Sequence, residues 1–144
     1  MAEIDTGKIL DGITLTLRMA FPESFIECDT VMQSMKPPAF VVLLVAAEEE
    51  ALMQGRWHRM PRFDILYFPE KGRTECHGVA DALCTVLEEI TLPGGDRIRG
   101  RDKSFSVTDG VLHFLISYPH YAIREKREAD IQKMESLQIE ERGN

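Results

Sequence analysis

The sequence predicts an α+β fold, a mainly antiparallel sheet with two helices packed on it. Three observations lead there. Two stretches carry apolar residues at helical spacing, near residues 6–20 and 75–90. Between and after them lie short runs rich in Val, Ile, Leu and aromatics. Asp109-Gly110 sits between two such runs, a strong two-residue hairpin signal. The order helix, strands, helix, strands suits a sheet with its helices gathered on one face.

The first helix is expected over Thr6 to Ala20, where Ile9, Leu10, Ile13 and Leu17 make one apolar stripe. Asp5 or Thr6 can cap its start, and Pro22 stops it. Ser24 to Asp29 reads as a short strand and Lys36-Pro37-Pro38 as a loop. Ala39 to Ala47 is apolar throughout, the pattern of a strand buried on both faces. Glu48-Glu49-Glu50 then reads as a solvated turn. Gly55 to Phe68 follows, broken near Pro61 and strongly strand-like from Phe63 to Phe68.

The second helix is expected over Glu75 to Ile90 with Thr74 as N-cap, its apolar face made by Val79, Leu83, Val86 and Ile90. Leu92-Pro93-Gly94-Gly95-Asp96 is a turn. Strands are expected at Arg97 to Arg101, Lys103 to Thr108 and Val111 to Tyr118, the last reaching toward Ile123. Residues 1–123 thus read as one domain. Residues 124–144 are a charged C-terminal extension, either helical, with Ile131, Met134 and Gln138 on one face, or ordered by a partner.

At 144 residues the chain is long enough to bury a core without disulfides or metals. Its formal net charge of −7 argues against a nucleic-acid binder acting through overall charge. Three cysteines, Cys28, Cys76 and Cys84, lack the paired spacing of a disulfide framework, and synthesis in a reducing cytoplasm is expected. The N-terminus has no signal-peptide pattern, and the longest apolar run, Ala39 to Ala47, is too short to span a membrane.

No P-loop, dinucleotide fingerprint, nucleophile elbow or zinc-protease motif is present, so neither an enzyme nor a cofactor is expected. Cys76, His77 and Cys84 lack the convergent spacing of a zinc site. Asp64 and His113 are both in strand-like segments. The expectation for Asp64 is either a structural hydrogen-bond acceptor or a salt-bridge partner for an arginine, and for His113 a solvated or hydrogen-bonded strand histidine. The distinctive charge feature is Arg97, Arg99, Arg101 and Lys103, basic at every second position. In an extended strand they share one face. They are candidates for docking a protein or lining a lumen; the plain alternative is a solvated edge strand guarded by its charge. Arg56, Arg59 and Arg62 form a second, less regular basic set.

Gly55-Arg56-Trp57-His58-Arg59 followed by Phe63-Asp64-Ile65-Leu66-Tyr67-Phe68-Pro69 resembles the central segment of the phage tail terminator (tail completion) family of Gram-positive phages and prophages. Ile90-Thr91-Leu92, Arg99-Gly100 and Val107 to Phe114, ending at Tyr118, resemble it too. So do the opening helix that ends at Phe21-Pro22 and the proline loop before Phe40. The resemblance covers about residues 5–123, and nothing transfers to the extension.

It implies a structural protein without catalytic residues. The expected form is a homo-oligomeric ring, a hexamer by the resemblance, that caps the finished tail tube. Its implied partners are the tail tube protein, the head–tail connector and, in a contractile tail, the sheath. DNA is met only in transit and no membrane is involved. The expected place is the head-proximal end of the tail of a virion or tail-like particle. Competing readings are another neck or tail component (a stopper, adaptor or tube subunit) and a small nucleic-acid-binding module using the basic strand.

Overall fold

The computed structural model describes residues 4–29 and 35–124. Helix α1 (Thr6–Ala20) begins where the Asp5 carboxylate accepts from the Lys8 backbone N–H at 2.8 Å and ends where the Phe21 N–H returns to Leu17. Its stripe of Ile9, Ile13 and Leu17 is wholly buried, each side chain contributing about 1.5–3 kcal/mol of burial. Strand β1 (Phe25–Cys28) runs parallel to β2 (Ala39–Ala51), which is antiparallel to β3 (Arg56–Phe68). Helix α2 (Arg73–Val86) follows, then β4 (Glu89–Thr91) and β5 (Arg97–Arg99), which pair with each other in a small two-stranded sheet. Strands β6 (Arg101–Thr108), β7 (Val111–Ser117) and β8 (His120–Ile123) complete the fold.

The main sheet has the order β1-β2-β3-β7-β6, with β8 also on β3. All its pairings except β1 with β2 are antiparallel. The fold is therefore α+β, with α1 and α2 on the same face. Phe40, Val42, Phe63, Ile65, Tyr67, Leu112, Phe114 and Ile116 point into the core with Ile9, Ile13, Leu17, Cys76, Ala80 and Leu83 of the helices. Phe21, Phe40 and Tyr67 form a tilted aromatic row at 5.0 and 4.7 Å between ring centres. Burial and the neighbouring Glu75 push the Tyr67 phenol up to about 12. Asp109 and Gly110 both take positive φ, 51° and 77°, and close the β6–β7 hairpin.

Several sequence expectations change. The strand beginning at Ala39 is buried only through Val42, and Glu48-Glu49-Glu50 lies inside it rather than in a turn. The reason is pairing: the whole of β2 is matched by β3, so the glutamates are held by a ladder their own propensities do not announce. Strand β3 runs unbroken through Pro61. The interruption falls on its neighbour, where β7 gives way to β8 at Tyr118-Pro119, and the Tyr118 N–H donates to the Pro61 carbonyl at 3.0 Å. Helix α2 ends at Val86, because Ile90 leaves it to pair with Ile98 in the small sheet. Its N-cap is Gly72 rather than Thr74; the Glu75 carboxylate instead accepts from the Glu70 N–H at 2.7 Å. The C-terminal extension lies outside the described residues, apart from Arg124.

Two contacts lock the small sheet and α2 to the main one. The Tyr118 hydroxyl donates to the Leu87 carbonyl at 2.6 Å inside the core, and burial raises its pKa far above that of a free tyrosine. Gly100 packs so closely on Ile116 and the Leu87 carbonyl that a Cβ there would collide with the isoleucine side chain and lie 3.0 Å from the carbonyl oxygen. Tyr118→Phe leaves that buried carbonyl unpaired, and a loss of about 1–3 kcal/mol in urea unfolding is expected. Gly100→Ala overpacks the same seam and is expected to lose about 1–3 kcal/mol. Unchanged midpoints for both variants would refute this description of the seam.

Candidate assembly surfaces

Strands β2 and β3 extend past the region covered by the helices. From Leu44 to Ala51 every residue of β2 is exposed. A bulge between Leu44 and Ala46 marks the root of this extension, as bulges do where a strand bends away from a sheet. Strand β8 returns along the outer half of β3, matching Arg59 with His120 and Arg56 with Ile123. The result is a three-stranded arm, β2-β3-β8.

The arm is fastened at its tip and along one face. Leu52 N–H donates to the Arg56 carbonyl at 2.7 Å, and Arg124 N–H to the Gly55 carbonyl at 2.9 Å. Gly55 has φ 73° and meets the Arg124 carbonyl so closely that a Cβ would be 2.8 Å from it. On the face shared with the helices, Glu49 lies between Arg59, at 2.9 Å, and Arg124, at 2.7 Å. The Arg124 guanidinium also stacks over Trp57, 4.8 Å from the ring centre. The hydrogen bond from Arg124, with the charge of Arg59, holds the Glu49 carboxyl below the usual carboxylate range. On the opposite face His58 stacks on Tyr121 at 4.8 Å, and Arg56 lies over the same ring at 5.4 Å. Glu48 and Glu50 share that face through their register with Met60 and His58.

At the arm's root, Arg62 donates to the Asp102 carbonyl at 3.0 Å and to the Ser117 hydroxyl at 2.9 Å. It borders an open hollow of about 280 Å³ that Ala46, Glu48, Met60 and Pro119 also line. Farther along this sheet face the Asp64 carboxylate accepts a hydrogen bond from the His113 Nδ1–H at 3.0 Å. Of the two readings offered for Asp64, the hydrogen-bond acceptor holds, with His113 as its partner, and the salt bridge to an arginine does not. His113 does lie on the face opposite Leu112 and Phe114.

The four basic candidates do not form one ladder. Gly100 separates Arg97 and Arg99, in the small sheet, from Arg101 and Lys103, in the main one. A bulge between Arg101 and Ser104, with Asp102 at φ 55°, breaks the alternation again. Arg97 and Arg99 both face Glu89, at 3.5 and 3.7 Å, while Lys103 donates to the Cys84 carbonyl at 2.9 Å and faces Glu88. Arg101 is exposed. Sequence reasoning missed the arm. Its trace is the acidic run Glu48 to Glu50 facing the basic set Arg56, Arg59 and Arg62 across a turn at Gly55.

Among the described residues no three His, Cys, Asp or Glu side chains group so as to hold a metal ion. Cys76 is buried, and burial raises its thiol pKa, while His77 is exposed. No described helix is long and apolar enough to cross a membrane. What the fold presents is a helix-backed sheet with an arm and hydrogen-bonding edges. The model of the phage tail terminator protein family matches residues 8–130, and the chain belongs to that family, a structural one of the phage tail. No curated protein matches the sequence. Among solved structures, one aligns at 12% identity and a TM-score of 0.43, over 85% of this chain and 94% of its own.

The Glu49 clamp makes a prediction. A carboxylate whose pKa is lowered in the folded state contributes stability above its ordinary value of 4.5 and loses it as pH falls through the lowered one. Acidification below pH 4.5 should therefore free Arg124 from Glu49 and red-shift the emission of Trp57, the single tryptophan. Arg124→Ala should show the red shift already at pH 7, with little change in thermal midpoint, since solvent screens an exposed pair. Emission of Arg124→Ala identical to wild type at pH 7 would contradict the stacking.

Proposed function

We propose that this chain is the tail terminator of a phage or tail-like particle, a ring of identical subunits, six by the family's resemblance, that caps the completed tail tube. On its other side the ring meets the head–tail connector, and in a contractile tail it also meets the sheath. The family match over residues 8–130 carries the reading. The fold is consistent with it: closed rings need heterologous interfaces, with different patches of one subunit meeting, and this subunit offers separate sheet edges at β1, β6 and the arm.

Charge supports a channel that lets DNA pass. With −7 per chain, six copies carry about forty negative charges, which disfavours tight DNA binding. The acidic partners of Arg97, Arg99 and Lys103 weaken the case for these residues as a nucleic-acid ladder. Arg101, exposed and next to the bulge, is the best remaining docking candidate of the four.

Deleting the gene from its phage or prophage and imaging the particles tests the proposal. The expected result is tails of irregular length that carry no heads. Tails of normal length joined to heads would overturn it.

A further inference from the structure

We propose that the arm joins copies of this chain edge to edge, the β8 edge of one copy lying parallel to the outer β2 edge of the next. The inference rests on the ring reading for closure, but the pairing itself concerns the chain alone.

Neither edge has a second strand partner among the described residues. Among the described residues, β2 beyond Val42 pairs only with β3, and β8 pairs only with β3. A free strand edge presents unpaired N–H and C=O groups and is a template for another strand. Natural edges are usually blunted, and β6 is: its bulge between Arg101 and Ser104 interrupts the row. The β8 edge is different. Tyr121 and Ile123 are 60% and 67% exposed, large apolar groups on a strand that pairs only with β3 among the described residues.

Charge selects which edges meet. The β2 edge carries Glu48, Glu49 and Glu50, so two β2 edges would bring six carboxylates together. Strand β8 carries no acid. Across the arm face, Glu48 and Glu50 lie toward the β2 edge, with Arg56, His58 and Tyr121 toward β8. Glu48 and Glu50 make no ion pair among the described residues, while Glu49 is satisfied within its own chain. Laying β8 of one copy on β2 of another sets the Arg56 side of the first against the free glutamates of the second.

Direction follows from topology. Strands β2 and β8 are both antiparallel to β3 and so run the same way. Rotating a copy about an axis along the arm keeps that direction and makes the new ladder parallel. Through β3, Tyr121 is level with Glu50, since both are matched to His58. Unstaggered pairing thus places Tyr121 of one copy beside Glu50 of the next; a two-residue stagger places it beside Glu48.

The test is disulfide trapping in the full-length chain. Tyr121→Cys combined with Glu50→Cys, and separately with Glu48→Cys, brings thiols onto neighbouring strands about 4.8 Å apart, within disulfide range. Under mild oxidation one of the two double variants is expected to give a ladder of dimers, trimers and larger species. The single variants and wild type, which report any background from Cys28 and Cys84, should not. Glu48→Arg with Glu50→Arg should weaken self-association at least tenfold by sedimentation, and adding Arg56→Glu should restore part of it; circular dichroism checks that each variant is folded. Higher species in sedimentation without a disulfide ladder would overturn the edge pairing while leaving a ring open. Dimers alone from a single variant would show a two-fold contact and also overturn it. A chain monomeric at every concentration, with no ladder, overturns it as well; the family role is judged separately by the gene deletion.

Discussion

Strand β3 is hydrogen-bonded along both edges, to β2 on one side and to β7 and then β8 on the other, and the rest of the sheet takes its register from it. Because side chains alternate along a strand, that single register decides two things at once. In its second half Phe63, Ile65 and Tyr67 enter the core beneath the helices. In its first half the same phase puts Trp57 and Arg59 against Glu49 and Arg124. A slip of one residue would empty the core and dismantle the arm together. Domain and projection are one object because one strand builds both.

Much of this was legible in the sequence. The stripe of α1 and its Asp5 cap follow from apolar spacing and local side-chain chemistry, and the Asp109-Gly110 hairpin from its turn residues. These are signals contained within a few residues. The failures share a cause, which is long-range pairing. Glu48 to Glu50 have poor strand propensity, yet β3 holds them extended. Ile90 continues the helical stripe of α2, but pairing with Ile98 removes it from the helix. The alternation from Arg97 to Lys103 is regular in sequence, and Gly100 and Asp102 divide it in space.

The candidate surfaces were less legible than the fold for the same reason. Alternating cations suggested a docking face, but whether a charge is available depends on what folds beside it. Glu89 and Glu88 sit next to three of the four, so their attraction for a distant partner is reduced. The arm is the reverse case. Its central charges are internally matched, while Glu48 and Glu50 at its edge make no ion pair among the described residues, a separation visible only once β8 is seen to return along β3. Family membership says that the chain serves a tail. Among the described residues, the outer edges of β2 beyond Val42 and of β8 carry no second strand.

The most direct measurement is a cryo-electron microscopy map of the neck of the intact particle, resolved well enough to trace this chain. The account predicts a single ring of it between the last ring of tube subunits and the connector. Finding the chain repeated along the tube, or absent from that layer in particles with finished tails, would contradict it.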